Sequence, residues 1–186
     1  AETDSLSADL FLHWGLALQR LKRWDGAVNK LERASQLDNE DTRGLFYFGS
    51  CFELASRETG RADYFDAAVA AFERLLRIDP QDAYAPNYPG YMFADGGTRL
   101  DKAIELLTRA VSLDPNNSAF LDSLGWAYFR LGNIERANHF MVRALTEMEG
   151  EEEQEANAGD QAIIFDHAGD IAHAMGDISQ AVTHWT

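Results

Sequence analysis

A glycine recurs five times inside apolar, helix-compatible stretches of this 186-residue chain, and that repetition limits the possible folds more than any other feature. The phrases are Trp14-Gly15-Leu16-Ala17, Phe48-Gly49-Ser50-Cys51, Pro89-Gly90-Tyr91-Met92, Leu124-Gly125-Trp126-Ala127 and Ala168-Gly169-Asp170-Ile171. The first interval is 34 residues, and the later ones of 41, 35 and 44 are the same period with insertions of 7, 1 and 10. Two insertions fall in polar stretches, residues 56–63 and the acidic run 149–160, where a loop lengthens at little entropic cost.

A second pattern follows each of the first four glycines. Ala27, Leu31 and Ala34 return as Ala68, Phe72 and Leu75, as Ala103, Leu107 and Ala110, and as Ala137, Met141 and Ala144. Spacings of four and three place each triad on one helix face. A glycine in mid-helix costs about 1 kcal/mol against alanine, so its repetition argues for close helix packing, with the small alanines expected to receive the glycine-bearing helix. The triad helices then run into common stop signals, Leu37-Asp38-Asn39, Ile78-Asp79-Pro80 and Leu113-Asp114-Pro115. Proline removes a donor and clashes with the preceding turn, while Asp and Asn cap the next helix, so each unit reads as two antiparallel helices. With only four prolines and an abundance of strong helix formers, the fold class is all-α.

These residues closely resemble the tetratricopeptide repeat family, whose 34-residue unit carries a Leu-Gly, flanking aromatics, spaced alanines and a terminal proline. Residues 118–149 match best, with Leu121, Leu124, Gly125, Tyr128, Gly132, Ala137, Met141 and Ala144 in place. The resemblance implies a right-handed superhelical array of antiparallel helix pairs spanning the whole chain. Its units fall at 8–41, 42–82, 83–117, 118–149 and 162–186, with the acidic insertion over 149–160 and the last unit truncated. Pro86 and Pro89 depart from the pattern, and Pro89 is expected to shorten or distort the first helix of the third unit. The missing initiator Met and the broken fifth unit suggest a piece of a longer array.

The same resemblance assigns function. In the family the first helices line a concave groove that holds a polypeptide, and counting three before and one after each glycine gives the groove positions here. They are Leu12, Leu16, Phe46, Ser50, Asn87, Tyr91, Asp122, Trp126, Asp166 and Asp170, joined by Tyr47. Such a surface suits apolar and basic or amide-bearing side chains. Family members that grip a C-terminal carboxylate use Lys, Asn and Arg, whereas Leu12, Leu16, Tyr47, Tyr84 and Tyr88 stand here, so that specificity is not expected. A looser similarity of the third to fifth glycine phrases to bacterial envelope repeat proteins favours a periplasmic over a cytoplasmic location.

The expected function is a protein-interaction scaffold without catalysis. The alternative is a receptor or regulatory segment of a larger protein carrying a catalytic module elsewhere. Acidic residues outnumber basic ones by 31 to 16, giving a net charge of -15 that repels phosphate backbones and anionic lipids. Nucleic-acid partners are therefore excluded, and no apolar run approaches the ~18 residues that span a bilayer. Self-association through exposed end aromatics remains open. Asp166, Asp170 and His173 share a helix face at metal-ligand spacing but read as a polar groove wall; His13, His139 and His184 are scattered. No catalytic residues, metal ligands or cofactors are nominated, and Cys51 reads as a small buried hydrophobe.

Overall fold

The computed structural model describes residues 7–38, 42–150 and 158–186. They form ten helices and no strand among the described residues, as the all-α expectation required. The helices are α1 (Ala8–Arg20), α2 (Trp24–Leu37), α3 (Thr42–Thr59), α4 (Ala62–Ile78), α5 (Tyr84–Asp95), α6 (Leu100–Leu113), α7 (Ser118–Arg130), α8 (Ile134–Gly150), α9 (Ala158–Ala174) and α10 (Ile178–Trp185).

Local signals set the ends. Ser7 accepts from Leu10 N–H at the start of α1, Asn117 accepts from Phe120 N–H at the start of α7, and Asp177 does the same for Gln180 N–H in α10. Asp82 Oδ1 accepts from both Tyr84 N–H and Ala85 N–H ahead of α5. The helices α2, α4 and α6 end at Leu37, Ile78 and Leu113, each on the Asp that the stop signals marked. Helix α9 begins at 158, four residues before the expected start of the fifth unit at 162; residues 151–157 of the acidic insertion lie outside the described residues.

Cα packing divides the chain into two compact units, residues 1–88 and 89–186. In the first, α1 packs on α2, α3 on α4, α2 on α3, and α1 on α3. In the second, α7 packs on α8, α9 on α10, α6 on α7, α8 on α9, and α7 on α9. First helices of successive pairs are thus neighbours in each unit.

The glycines sit where one helix of a pair crosses the other. A Cβ at Gly15 would lie 2.5 Å from Leu31 Cγ, one at Gly49 would lie 2.8 Å from Phe72 Cζ, and one at Gly90 would lie 2.7 Å from Leu107 Cγ. At Gly125 the backbone itself intervenes, with Ala137 O at 3.2 Å and Met141 N at 3.4 Å. Trp185 takes the same place on Gly169. At Gly15, Gly49 and Gly90 the seat is therefore the large middle residue of the triad, where the alanines were expected, and at Gly125 it is the backbone of Ala137 and Met141. The flanking alanines at 27, 68, 103, 110, 137 and 144 are fully buried and let the backbones approach. Burying Leu31 or Phe72 completely contributes roughly 2–3 kcal/mol each.

Helix α5 runs through Pro86 and Pro89, both fully buried, and its 12 residues compare with 13 in α1 and α7. Pro86 stands in the first turn, where the missing donor is unpaired anyway, so only Pro89 removes a ladder bond.

Candidate functional site

In unit 1, Leu12 is 3% exposed and belongs to the core cluster with Ala27, Leu31, Ala34 and Cys51, while Leu16 is half-buried against it. Burial pushes the Cys51 thiol up to about 12, since a thiolate there would be desolvated. On α3, Phe46 is the hub of an aromatic group. Its ring meets Tyr47 at 5.7 Å, Tyr84 at 6.3 Å and Tyr88 at 5.3 Å, all edge-on, and Tyr88 stacks on Phe72 at 4.9 Å. Edge-to-face pairs of this kind contribute about 0.5–1.5 kcal/mol beyond area burial. Phe46, Tyr47 and Tyr84 line a cavity of about 320 Å³ with Thr42, Arg43 and Asp82. Ser50 Oγ and Asn87 Oδ1 are buried without a hydrogen-bond partner.

Beyond the groove, an ionic latch ties α2 to α4. Tyr64 O–H donates to Asp25, Arg61 reaches Asp25 at 3.0 Å and Asp63 at 2.6 Å, and the Arg61 guanidinium lies 3.8 Å over the Tyr64 ring. The Tyr64 hydrogen bond and the Arg61 contact lower the Asp25 pKa, while desolvation and the Asp25 acceptor raise Tyr64 to about 12.

In unit 2, the counted positions divide into two groups. Asp122 is 4% exposed, and both its oxygens accept from His167 Nδ1–H, at 2.9 and 3.1 Å. Trp126, 8% exposed, stacks on the His167 ring at 3.9 Å and on Phe129 at 5.0 Å, with Tyr91 tilted toward His167 at 6.2 Å. Asp122 and Trp126 therefore join α7 to α9, and Trp126 Nε1 is left buried and unpartnered.

Asp166 is exposed and Asp170 half-buried, one turn apart on α9. Both line a cavity of about 510 Å³ with Ala162, Phe165, His184, Trp185 and Thr186. His173 lies apart from them beside Trp185, at 5.9 Å. No three His, Cys, Asp or Glu side chains converge as a metal site among the described residues. A carboxylate pair beside aromatic faces has the chemistry to pair a cationic head and cover an apolar stem.

Counting from the glycines reached Asp166 and Asp170 but missed His167, Phe165, His184 and Trp185. Trp185 was readable, because it stands 16 residues after Gly169 just as Leu31 does after Gly15. His167 carries no such signal; its partner Asp122 lies 45 residues away.

Helix pairs whose repeated glycines sit against the partner helix define a helical-hairpin repeat protein. A tetratricopeptide repeat model matches residues 60–118 and 94–147. Over residues 60–147 the chain carries tetratricopeptide repeats. It is similar to a TPR repeat-containing protein of Pseudomonas aeruginosa, 38% identical over 81 residues, which is 41% of this chain and 14% of that protein. Solved structures share the fold at low identity. MamA from Desulfovibrio magneticus has a TM-score of 0.71 at 19% identity, covering 100% of this chain and 93% of that one. A TPR protein of Thermus thermophilus also reaches 0.71 at 19%, covering 96% and 88%. The Cut9-Hcn1 hetero-tetramer of the APC/C reaches 0.82 at 16%, covering 98% and 33%. These likenesses show a shared helical-repeat fold. No helix among the described residues is long and apolar enough to cross a membrane.

Proposed function

We propose that the first-helix faces hold a polypeptide segment bearing basic and apolar side chains, and that the chain does so without chemistry of its own. The observation that carries this reading is the wall of the 510 Å³ cavity, where Asp166 and Asp170 stand beside Phe165 and Trp185. A Lys or Arg placed there pairs its charge with the carboxylates and lays its methylenes on the rings. In unit 1 the Phe46, Tyr47 and Tyr84 wall accepts apolar side chains. The net charge of -15 adds long-range attraction for a basic partner.

The test is a fluorescence titration with labelled peptides of matched length, one Arg- and Leu-rich and one Glu- and Leu-rich. The basic peptide binds more tightly, its affinity falls with added salt, and Asp166→Ala with Asp170→Ala weakens it about tenfold or more, some 1.4 kcal/mol, at unchanged helicity. Equal binding of both peptides, or an indifferent double variant, would sink the assignment. Trp126 is unsuited to this test because its ring packs inside α7 and α9.

A second reading is favoured by one observation: the Pseudomonas relative extends far beyond the matched 14%. In that reading the segment serves as the receptor part of a larger protein, and the same peptide faces act for a module elsewhere.

A further inference from the structure

Several rings of this chain hold one of its own cations. Lys30 Nζ lies 4.1 Å from the Trp14 ring centroid, the Arg61 guanidinium 3.8 Å from that of Tyr64, and the Arg136 guanidinium 5.2 Å from that of Tyr128. In each case a positive group meets the negative face of a ring. Among the described residues no such cation stands over Phe46 or Tyr47, although both rings line the cavity of about 320 Å³ in unit 1.

The walls of that cavity are set nearly at right angles. Tyr47 and Tyr84 meet Phe46 at interplanar angles of 77° and 84°, so rings bound the space from more than one direction. Tyr47 is held against the core cluster of Leu12, Ala27 and Leu31, while Tyr84 opens α5 at 52% exposure. Asp82 supplies charge beside them. Its Oδ1 is fixed by Tyr84 N–H and Ala85 N–H, and no side-chain cation pairs with it among the described residues. Arg43 lines the cavity too, but its Nη2 lies 3.1 Å from Asp9 Oδ1, so Asp82 is the charge that an occupant has to match.

We propose that this cavity takes a quaternary ammonium head group. A primary ammonium brings three N–H donors that each need an acceptor, whereas ring walls and one carboxylate already holding two amides suit a head whose methyl groups lie on the rings while its charge faces Asp82. A neutral side chain of the same shape leaves Asp82 without a counter-charge. The space lies at the small end of ligand cavities, which run to about 300–1,000 Å³, and so fits a head group with a short stem. Two sources share this chemistry: a methylated lysine in the segment assigned to the first-helix faces, which rests on the function proposed above, and a free quaternary ammonium solute, which does not.

The test compares choline with 3,3-dimethylbutan-1-ol, which keeps the shape but has carbon in place of the charged nitrogen. Each is titrated from ~0.1 mM to ~100 mM into the 186-residue chain, with ionic strength held by sodium chloride, while the Tyr47 and Tyr84 ring resonances are followed by NMR. Choline shifts both rings with a dissociation constant of roughly 1–10 mM, and the neutral isostere binds at least about fivefold more weakly. Tyr84→Leu removes one ring face at an exposed site, and Asp82→Asn removes the charge while keeping an acceptor for the α5 amides; read at Tyr47, each weakens choline at least about threefold at unchanged circular dichroism. Equal binding of choline and its isostere overturns the proposal, as do rings that never shift or variants that bind choline like the parent. A trimethyllysine peptide that binds about tenfold more tightly than both choline and its unmethylated form assigns the site to a polypeptide, and a peptide no tighter than choline assigns it to the free solute. The signals come from unit 1, so failure here leaves the Asp166 and Asp170 wall standing, and failure of that wall leaves choline binding intact.

Discussion

At Gly49 the edge of the Phe72 ring occupies the space a methyl group would need, with Cζ, Cε1 and Cε2 at 2.8, 3.0 and 3.0 Å from the ideal Cβ. Phe72 has no freedom to retreat, since it is 0% exposed and stacked on Tyr88. Alanine at position 49 gains about 1 kcal/mol of helix propensity but overpacks a closed core at a cost of about 1–3 kcal/mol. Gly49→Ala should therefore be destabilising by about 1 kcal/mol, read as a lower urea midpoint at unchanged m-value. If Phe72→Leu is added, the two effects should fall short of additive, because the smaller side chain makes room. A Gly49→Ala protein as stable as the parent would mean the glycine is not a packing residue. Which triad member seats each glycine was not legible in the sequence: the alanines were expected, whereas Leu31, Phe72 and Leu107 take the place at Gly15, Gly49 and Gly90. The Asp122 to His167 bond was not legible either, because a polar pair between first helices leaves no periodic trace. Counting placed Asp122 on the groove, but its carboxylate turns to a histidine that nothing in the pattern singled out.

Among elements, α2 and α4 are tied at their N-termini by Asp25, Arg61 and Tyr64. The phenol holds its proton more tightly when folded, first because burial disfavours the phenolate and then because it donates to Asp25, which raises its pKa to about 12. The unfolded chain releases that proton near the ordinary value of about 10. A raised folded value means the contribution is complete below pH 10 and is lost as pH climbs from 10 to 12. Tyr64→Phe should thus be less stable than the parent by about 1 kcal/mol at pH 8, and the two unfolding midpoints should converge by pH 12. A gap independent of pH would show that the hydroxyl contributes only shape. Asp25 acts in the opposite direction, its lowered pKa adding stability that disappears as pH falls through the carboxylate range, and its exposure keeps that share small. At this scale the helix stops at Leu37, Ile78 and Leu113 were legible, since Asp and Pro act on the backbone locally. The passage of α5 through Pro89 was not, because buried packing around the ring outweighs one missing hydrogen bond.

For the molecule as a whole, the decisive quantity is the imbalance of 31 acidic against 16 basic residues. The ion pairs Lys22 to Glu58, Arg43 to Asp9, Arg61 to Asp25 and Lys102 to Glu105 all involve side chains at least 42% exposed. Exposed pairs of that kind contribute at most about 1 kcal/mol each, and salt weakens them. The surplus of fifteen negative charges repels itself in the compact state, and salt weakens that too. Repulsion sums over many unpaired carboxylates at distances beyond one contact, so it is the term that shrinks most as the screening length drops from about 30 Å at 0.01 M to about 8 Å at 0.15 M. Net stabilisation on the order of 1 kcal/mol should follow, seen as a thermal midpoint roughly 2–4 °C higher for a chain of this size. The measurement belongs near ~1 µM protein, so that mass action does not contribute to the shift. A midpoint that falls with salt would mean these ion pairs outweigh the surplus, and the acidic surface would then be organised around its few cations rather than held together in spite of them.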